Sequence, residues 1–345
     1  MKNKSSISRI VFFNLFIFLI FILLFELFFG YWFKNENFGI YIRDQRNIKK
    51  QFDIVHNDKN YRFFFKRNSL GFIGEEIDSK EIKVVFEGGS TGEQLFIPPN
   101  FKIVNQLNSF LKKDKISIKI INASKGGKTT RGYYNDFKNW FPKIKNFRPK
   151  VFIFYTGHND ASLKLPEHFD NIKRDNYFDR TEDYIKNNSV IYEIKNKIQH
   201  KYFGKIRKNY GLYEKDLYKN YQYINYEEAK LKFDLKKLNK KEKNLLNNFE
   251  KNLLNLEKKI IETKVVPIFI TQVRFDGVSK KTLFLVNETL KKFCNSRNYH
   301  IIKLDEMIDG FEKNDFYDDI HTGINGSQKI SKILYPYLKD ILIKY

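Results

Sequence analysis

Residues that build common metal and redox sites are scarce in this sequence. Cys294 is the one cysteine among 345 residues, so no disulfide can form within the chain. The six histidines are dispersed, and neither H-E-x-x-H nor C-x-x-C occurs. These absences exclude the common zinc and dithiol motifs, and we predict neither a metal nor a cofactor. Cys294 lies in the helix-like stretch LFLVNETLKKFCNSR, which indicates a small, buried apolar residue.

An arginine-rich block is also missing, although the formal net charge is +23. Excess positive charge can indicate a nucleic acid or a membrane surface as partner. Here the lysines are scattered among Asn, Ile, Phe and Tyr along the whole chain. That scatter favours a lysine-biased genome over a functional basic face, and we predict no nucleic-acid partner. The 35 Phe and 21 Tyr are enough for a sizeable core.

One long apolar run is present near the N-terminus. Residues 10–33 are apolar at all but three positions, which is long enough to cross a bilayer core of about 30 Å. Tyr31 and Trp32 stand where an interfacial aromatic belt is expected. A cleavage site of the A-x-A kind is missing. We therefore predict an uncleaved transmembrane anchor over 10–33 rather than a signal peptide.

The basic residues before and after this run favour opposite orientations in the membrane. The basic tail 1–9 favours a cytoplasmic N-terminus. Five basic residues after the run oppose it: Lys34, Arg43, Arg46, Lys49 and Lys50. We predict a single-pass anchor with the N-terminus inside and the body of the protein outside. Glu26 is then expected near the outer interface, where its carboxylate reaches water, rather than as a buried functional group.

From Ile82 onward, short apolar runs alternate with amphipathic stretches. The predicted strands are 82–87, 116–122, 150–156, 265–271 and 300–305, and the predicted helices are 100–112, 130–146, 240–263, 280–297 and 326–343. This alternation predicts an α/β domain over 81–345 with a parallel sheet and helices on both faces. Residues 34–80 are interpreted as a connecting segment and 161–239 as an insertion.

Polar motifs follow three of the predicted strands, and a fourth precedes the last helix. They are GGSTGE, NASKGGKTTRG, GHND and YDDIHTGING. Because ligands of open α/β sheets bind beyond the carboxyl ends of the strands, we expect these motifs to meet. Together they supply the parts that acyl transfer requires: a hydroxyl nucleophile, a base, a carboxylate that orients the base, and donors for an oxyanion. Ser90 is the candidate nucleophile, His321 the candidate base and Asp318 the carboxylate that orients it. Gly127 and Asn159 are the candidate oxyanion donors.

Two of these assignments have a close rival. Gly126 competes with Gly127 as the second oxyanion donor, beside the Ser90 amide and the Asn159 side chain. Asp319 also neighbours His321, but we expect it to point away on the turn. Alone, Ser90 is typical of a helix cap and His321 of a surface residue. Their combination with the other motifs favours the catalytic interpretation.

The four motifs, in this order, resemble the blocks of the SGNH (GDSL-like) hydrolase family. GGST matches the block of the nucleophile, GHND matches G-x-N-D, and DDIH matches D-x-x-H. NSLGFIGEEI at 68–77 resembles the lead-in of many bacterial members, although Ile73 stands where an arginine is common. Gly89 stands where the family usually has Asp. The resemblance implies a three-layer αβα sandwich, flavodoxin-like, with about five parallel strands.

The resemblance also implies an activity, a carboxylic ester hydrolase or O-acyltransferase. Anchored members often act on O-acyl groups of envelope glycans or on lipids, so the expected partner is an acylated glycan or lipid outside the cytoplasm of a bacterium. His158, Thr271 and Gln272 lie at predicted strand ends and are candidate substrate contacts.

Three alternatives remain beside this prediction. GGSTG also satisfies G-x-S-x-G, the nucleophile elbow of α/β-hydrolases. That fold places the elbow in the middle of the sheet and the acid far from the histidine, unlike this sequence. A phosphate loop lacks its Gly-Lys-Ser/Thr. The third alternative is a catalytically silent glycan-binding or scaffold protein, against which the presence of Ser90, Asp318 and His321 argues.

Overall fold

The described residues form a parallel sheet with helices on both faces, an N-terminal helix and a β-hairpin. The computed structural model describes residues 3–33, 46–56, 59–162, 177–203, 222–312 and 315–345. Of the sequence predictions, the orienting charges Lys34 and Arg43 and parts of the 161–239 insertion lie outside these residues.

Five parallel strands make the central sheet, in the order β4-β3-β5-β6-β7. Their bounds are β3 Val84–Gly88, β4 Ile120–Asn122, β5 Val151–Tyr155, β6 Val266–Ile270 and β7 His300–Ile302. In the central pair, Val84 lies opposite Val151 and Gly88 opposite Tyr155, and every residue of both strands is buried. Strands covered on both faces read as continuous apolar runs, which is why the sequence identified them. The parallel-sheet prediction is confirmed, and the strand order is the flavodoxin-like one.

Helices cover both faces of this sheet and complete the predicted three layers. One face packs against α4 Thr130–Asn139, α8 Lys240–Thr263 and α9 Lys281–Arg297; the other packs against α3 Ile103–Lys113 and α11 Ile324–Leu342. The remaining helices of the described chain are α1 Asn3–Phe29, α2 Ser90–Glu93, α5 Tyr177–Asn188, α6 Val190–Phe203, α7 Tyr226–Lys232 and α10 Leu304–Met307. Cys294 is fully buried on α9, as predicted.

Three predicted elements are shorter than expected. The strand predicted over 300–305 ends at Ile302, and α10 begins at Leu304. The strand predicted over 116–122 begins at Ile120, because its partner β3 begins at Val84 and the two residues pair with each other. The helix predicted over 130–146 ends at Asn139 and gives way to a 3₁₀ turn containing Pro142, whose ring removes a backbone donor.

A β-hairpin that the sequence analysis missed lies within 34–80. Strand β1, Ile48–His56, pairs antiparallel with β2, Lys59–Arg67. Alternate residues point inward and form a small core of Phe52, Ile54, Phe63 and Phe65. Ile73 bridges Arg67 of the hairpin to Asn122 on the edge strand β4. The hairpin is therefore joined to the sheet domain at the edge where the sheet would otherwise end.

Helix α1 is the one element of the described chain long and apolar enough to cross a membrane. The apolar span runs over Ser8–Phe29, and none of its residues is buried. Length and composition of this kind also occur in signal sequences. The Glu26 side chain is partly exposed, and its carboxylate accepts hydrogen bonds from the backbone amides at the start of α6.

Candidate active site

The turn after β3 presents Ser90 at the carboxyl edge of the sheet. Gly89 precedes α2 in an extended conformation, and Ser90 is the first helical residue. A Cβ atom on Gly89 would lie 2.4 Å from Nδ2 of Asn159, and one on Gly92 would lie 2.6 Å from Oγ of Ser124. Both glycines are therefore required by close approach of neighbouring groups. The motif is a tightly packed turn, not a freely moving loop.

Ser90, His321 and Asp318 form a chain of hydrogen bonds. The Nε2 atom of His321 lies 2.7 Å from Oγ of Ser90, and its Nδ1 atom lies 2.6 Å from Oδ2 of Asp318. The other carboxylate oxygen of Asp318 accepts from the backbone amides of His321 and Ile320, at 2.6 and 2.9 Å. The structure thus brings together the three residues that the sequence analysis nominated as nucleophile, base and orienting acid.

The environment of Asp318 keeps this carboxyl ionised. Burial by itself raises its pKa, but hydrogen bonds from the His321 ring and from two backbone amides outweigh burial and lower the pKa below its usual range. Asp319 faces away and pairs with Arg274 at 2.9 Å. Tyr317 stacks on the His321 ring with a centroid distance of 5.4 Å. The imidazole is therefore fixed by a carboxylate at one edge and by an aromatic ring on one face.

The side-chain amide of Asn159 lies directly beside the nucleophile turn. Its Nδ2 atom donates to the backbone carbonyl of Lys128 at 2.8 Å. Because an amide nitrogen carries two hydrogens, one donor remains for an oxyanion. On its other side the Asn159 amide packs against the backbone of Gly89, where a Cβ atom would collide with it.

The two rival glycines have different surroundings. The amide of Gly126 donates to Oε2 of Glu93 at 2.8 Å, so it is already engaged. Gly127 has a φ of 77°, a backbone conformation that favours glycine. Within the described residues, no hydrogen bond engages the Gly127 amide. The geometry thus favours Gly127 over Gly126 as a backbone donor, in line with the sequence-based choice.

Glu93 and Arg67 hold this glycine loop, and the sequence analysis identified neither. The carboxylate of Glu93 accepts from the Gly126 amide and, at 2.7 Å, from Nη2 of Arg67. The same guanidinium nitrogen donates to the backbone carbonyl of Ser124 at 2.6 Å. Arg67 is the last residue of strand β2, so these hydrogen bonds attach the hairpin to the glycine loop. No motif or periodicity links positions 67 and 93, which is why sequence alone gave no signal.

A buried charged group lies beneath the site. The Nζ atom of Lys128 donates to Glu87 at 2.8 Å, to Asp136, and to the carbonyl of Ala123 at 3.0 Å. Burial lowers the pKa of Lys128, but the two carboxylates outweigh it and raise the pKa overall, while burial raises the pKa of Glu87 well above its usual value. These bonds fix the position of Lys128, and therefore the position of its backbone carbonyl, which accepts from the Asn159 amide.

Gln94 connects the nucleophile turn to the last helix. Its Nε2 atom donates to the hydroxyls of Thr322 and Ser327, at 2.9 and 2.6 Å, and its Oε1 atom accepts from the Ile103 amide at 2.6 Å. These bonds tie α2 to α3 and to the segment that carries His321.

Two of the three candidate substrate contacts, Thr271 and Gln272, are buried. Thr271 is fully buried and donates to Asp305 at 2.6 Å. Gln272 is 2% exposed and donates to Thr91 and to the carbonyl of Tyr155. Both side chains are committed to bonds below the site, because neighbouring strand ends supply partners for them. The prediction that they line an open pocket is therefore wrong.

His158 is partly buried rather than solvated on its turn. Its Nε2 atom lies 2.8 Å from the carbonyl of Val273. Burial lowers the pKa of His158 to about 3, and the nearby Arg274 and His321 add to this effect. The ring is neutral at pH 7 and donates through Nε2. It stands close to His321 but belongs to the wall of the site, not to the hydrogen-bonded chain.

Comparisons with known proteins give matches in three-dimensional structure alone. No protein-family model matches the chain, and no curated protein matches it. Similar solved structures include the psychrotrophic esterase EstA from Pseudoalteromonas sp., with 12% identity, TM-score 0.42 and coverage of 75% of this chain and 98% of that one. A member of the lipolytic protein G-D-S-L family from Veillonella parvula has 11% identity, TM-score 0.42 and coverages of 73% and 95%. The Clostridium thermocellum family 3 carbohydrate esterase has 15% identity, TM-score 0.43 and coverages of 76% and 98%.

None of these values assigns an activity to this chain. An assignment of chemistry therefore depends on the geometry of the site itself.

Proposed function

We propose that this protein is a membrane-anchored serine esterase or O-acyltransferase of the SGNH type. The observation that carries the proposal is the unbroken chain of hydrogen bonds from Asp318 through His321 to Ser90. A serine hydroxyl is a weak nucleophile at neutral pH unless a base takes its proton. In these hydrogen bonds His321 is the base, and Asp318 is the group that orients His321. Neighbouring amides supply donors for the negative charge that develops.

The first half of the reaction forms an acyl-enzyme. Oγ of Ser90 attacks the ester carbonyl while its proton moves to Nε2 of His321. The carbonyl oxygen becomes an oxyanion that accepts from the free hydrogen of Asn159 and from the amides of Gly127 and Ser90. His321 then gives its proton to the departing alkoxide, and the carbon–oxygen bond of the ester breaks.

The second half returns the enzyme to its starting state. Water, or a sugar hydroxyl in the transfer reaction, loses a proton to His321 and attacks the acyl carbon. Collapse of the second tetrahedral intermediate releases the acid or the new ester, and the proton returns to Ser90. Asp318 stays ionised throughout and stabilises the imidazolium that forms in each half.

We further propose that the substrates are O-acylated glycans or lipids of a bacterial envelope. The support is the resemblance of the four sequence motifs, together with helix α1, whose apolar span would hold the site beside a membrane. In this arrangement α1 remains as a single-pass anchor and the sheet domain lies outside the cytoplasm.

The test uses the full chain in detergent micelles, with p-nitrophenyl acetate and longer p-nitrophenyl esters as substrates and a fluorophosphonate as label. Ser90→Ala is compared with Ser109→Ala, because Ser109 is an exposed serine on α3. We expect Ser90→Ala to lose at least about 10³-fold in kcat and all labelling, and Ser109→Ala to match the wild type. A wild type that neither turns over any ester nor takes the label would leave the silent scaffold as the better description.

A further inference from the structure

The end of helix α1 is built into the folded body through Glu26. Its carboxylate accepts from the backbone amides of Val190 and Ile191, at 3.0 and 3.1 Å, and from the hydroxyl of Ser189. These amides belong to the first turn of α6 and have no partner within that helix. A carboxylate at this position satisfies them and favours the helix electrostatically. Glu26 therefore serves as the N-terminal cap of a helix that lies more than 160 residues further along the chain.

The two residues after Gly30 add further bonds to the same place. The Tyr31 amide donates to the carbonyl of Asn188 at 2.8 Å, and the Tyr31 hydroxyl donates to Glu193 at 2.7 Å. The Trp32 ring packs edge-on against Tyr184, with centroids 5.9 Å apart. The junction of α5 and α6 is thus fastened to the last turn of α1 and to the residues that follow it.

Helices α5 and α6 expose six apolar side chains, which together are called the apolar face. It consists of Tyr177 (76% exposed), Phe178 (78%), Ile185 (49%), Ile191 (40%), Ile194 (39%) and Ile198 (49%). On α5, Ile185 lies eight and seven residues after the adjacent Tyr177 and Phe178, and on α6 the members are three and four residues apart, so each set lies on one side of its helix. Exposed apolar side chains gathered on one side of a helix mark a surface that binds something apolar.

We propose that this apolar face lies in the headgroup region of the bilayer that α1 crosses, as a second membrane contact of the protein. The proposal rests on the proposed membrane anchoring and is independent of the esterase chemistry. Its physical basis is continuity: the span Ser8–Phe29 contains no buried residue and ends at the point where α5 and α6 are fastened. A bilayer that surrounds the span necessarily reaches this junction.

The composition of the junction fits a lipid surface better than a second protein. Tyr31, Trp32 and Tyr184 gather there, and tyrosine and tryptophan are the residues enriched where hydrocarbon meets water. Lys195 is exposed on α6, where a cation can meet the phosphates of anionic lipids. A helix pair with an apolar side and a charged side, lying in the plane of the interface, is a common form of peripheral contact.

The contact would also orient the candidate active site. Helix α6 packs against strand β1, and β1 belongs to the hairpin whose partner strand ends at Arg67. Since Arg67 holds the glycine loop through Glu93, rigid elements connect the bilayer surface to the site. A single flexible anchor would leave the sheet domain free to tumble, whereas two contacts fix which edge faces the membrane.

The test measures the depth of labelled residues in the bilayer. The full chain, with Cys294→Ala to remove the one native cysteine, is reconstituted into vesicles of phosphatidylcholine and phosphatidylglycerol. Single cysteines at Phe178 or Ile194 carry an environment-sensitive fluorophore. Leu231→Cys is the matched control, because Leu231 is apolar and 89% exposed but lies on α7, away from this face.

We expect blue-shifted emission at positions 178 and 194 and at least about a twofold loss of fluorescence with nitroxide-labelled lipids, with neither effect at 231. Equal, water-like emission at all three positions would overturn the proposal. Blue-shifted emission without nitroxide quenching would also overturn it, since another protein surface would then cover the face.

A second variant separates this contact from the anchor. Glu26→Leu keeps α1 apolar but removes the cap of α6. We expect the chain to stay in vesicles after alkaline carbonate extraction, while quenching at position 194 falls by about half or more because α6 is no longer fastened. Release of the otherwise wild-type chain by carbonate would show that the anchoring itself is wrong, and with it this proposal. Ester turnover by the same preparation reports separately on the proposed activity.

Discussion

At the scale of single residues, the site depends on positions where a side chain would collide with a neighbour. Gly89 is the clearest example. The SGNH resemblance leads one to expect an aspartate there, but the amide of Asn159 lies where its Cβ would be. Asn159 is in turn fixed by the carbonyl of Lys128, and Lys128 by two buried carboxylates. Glycine at this position is therefore part of the placement of Asn159, the proposed oxyanion donor.

A Gly89→Ala substitution tests this placement. We expect kcat to fall by about 10²-fold, the usual effect of losing one oxyanion donor, with little change in KM. The control is Gly310→Ala, since a Cβ on Gly310 meets no atom within 4 Å. Ester turnover and the rate of fluorophosphonate labelling give the measurement. An unchanged labelling rate in Gly89→Ala would contradict the assignment of Asn159.

The two neighbouring aspartates offer a matched pair. Asp318→Asn keeps the shape of the side chain but removes the charge that orients His321, and we expect kcat to drop by about 10⁴-fold. Asp319→Asn removes the same charge one residue away, where it faces Arg274, and we expect near-wild-type kcat. Steady-state kinetics of both variants decide the point. Similar losses in the two would count against Asp318 as the orienting acid.

At the scale of elements, the hairpin is tied to the site as well as to the sheet. It reaches the glycine loop through Arg67 and Glu93, and the guanidinium neutralises a carboxylate that would otherwise disfavour an oxyanion nearby. Its core also includes Phe96, which packs on Tyr317 beside His321. The hairpin therefore supports two sides of the site from outside the sheet domain.

Glu93→Gln tests the hold on the loop. The amide keeps one acceptor but turns a donor toward either Arg67 or the Gly126 amide, which leaves one buried group unpaired. We expect about a tenfold loss in kcat, with KM nearly constant, since such a loss costs roughly 1–3 kcal/mol. Glu75→Gln, at an exposed carboxylate paired with Lys66, is the control. A change in KM alone would assign Glu93 to substrate binding instead.

The elements also show what sequence patterns reveal and what they miss. Fully buried strands such as Val151–Tyr155 were predicted because both faces are covered, and α8 was predicted over the residues it occupies. The hairpin was missed because its inward Phe63 and Phe65 stand next to the half-exposed Phe64, which hides the alternation. The sequence correctly predicted which residues lie at the strand ends, but it did not predict which of their side chains are buried. Thr271 is covered because a neighbouring strand end places Asp305 beside it, which no local pattern encodes.

At the scale of the whole molecule, His158 links acid to stability. Its pKa is about 3 in the folded protein and near 6.5 in the unfolded chain. Between these values the unfolded chain binds more protons, so the free energy of unfolding rises with pH and falls as the solution is acidified below about 6.5. The slope from this group is up to about 1.4 kcal/mol per pH unit.

Denaturant unfolding at several pH values measures this slope. The comparison is with His158→Gln, whose side-chain amide can still donate to the carbonyl of Val273 but does not titrate. We expect the wild type to lose stability more steeply than the variant between about pH 6 and pH 4. Parallel curves for the two proteins would show that His158 is not held neutral by the fold.

The distance along the chain between Ser90 and His321 has a consequence for synthesis. The serine and the amides around it emerge from the ribosome early, whereas the base and its aspartate come with the last thirty or so residues, joined to the turn by the bonds of Gln94 to Thr322 and Ser327. A chain that ends before Asp318 holds a serine without a base. We expect such a chain to be inert toward esters, so that the proposed reactivity begins only after the segment with His321 has been made.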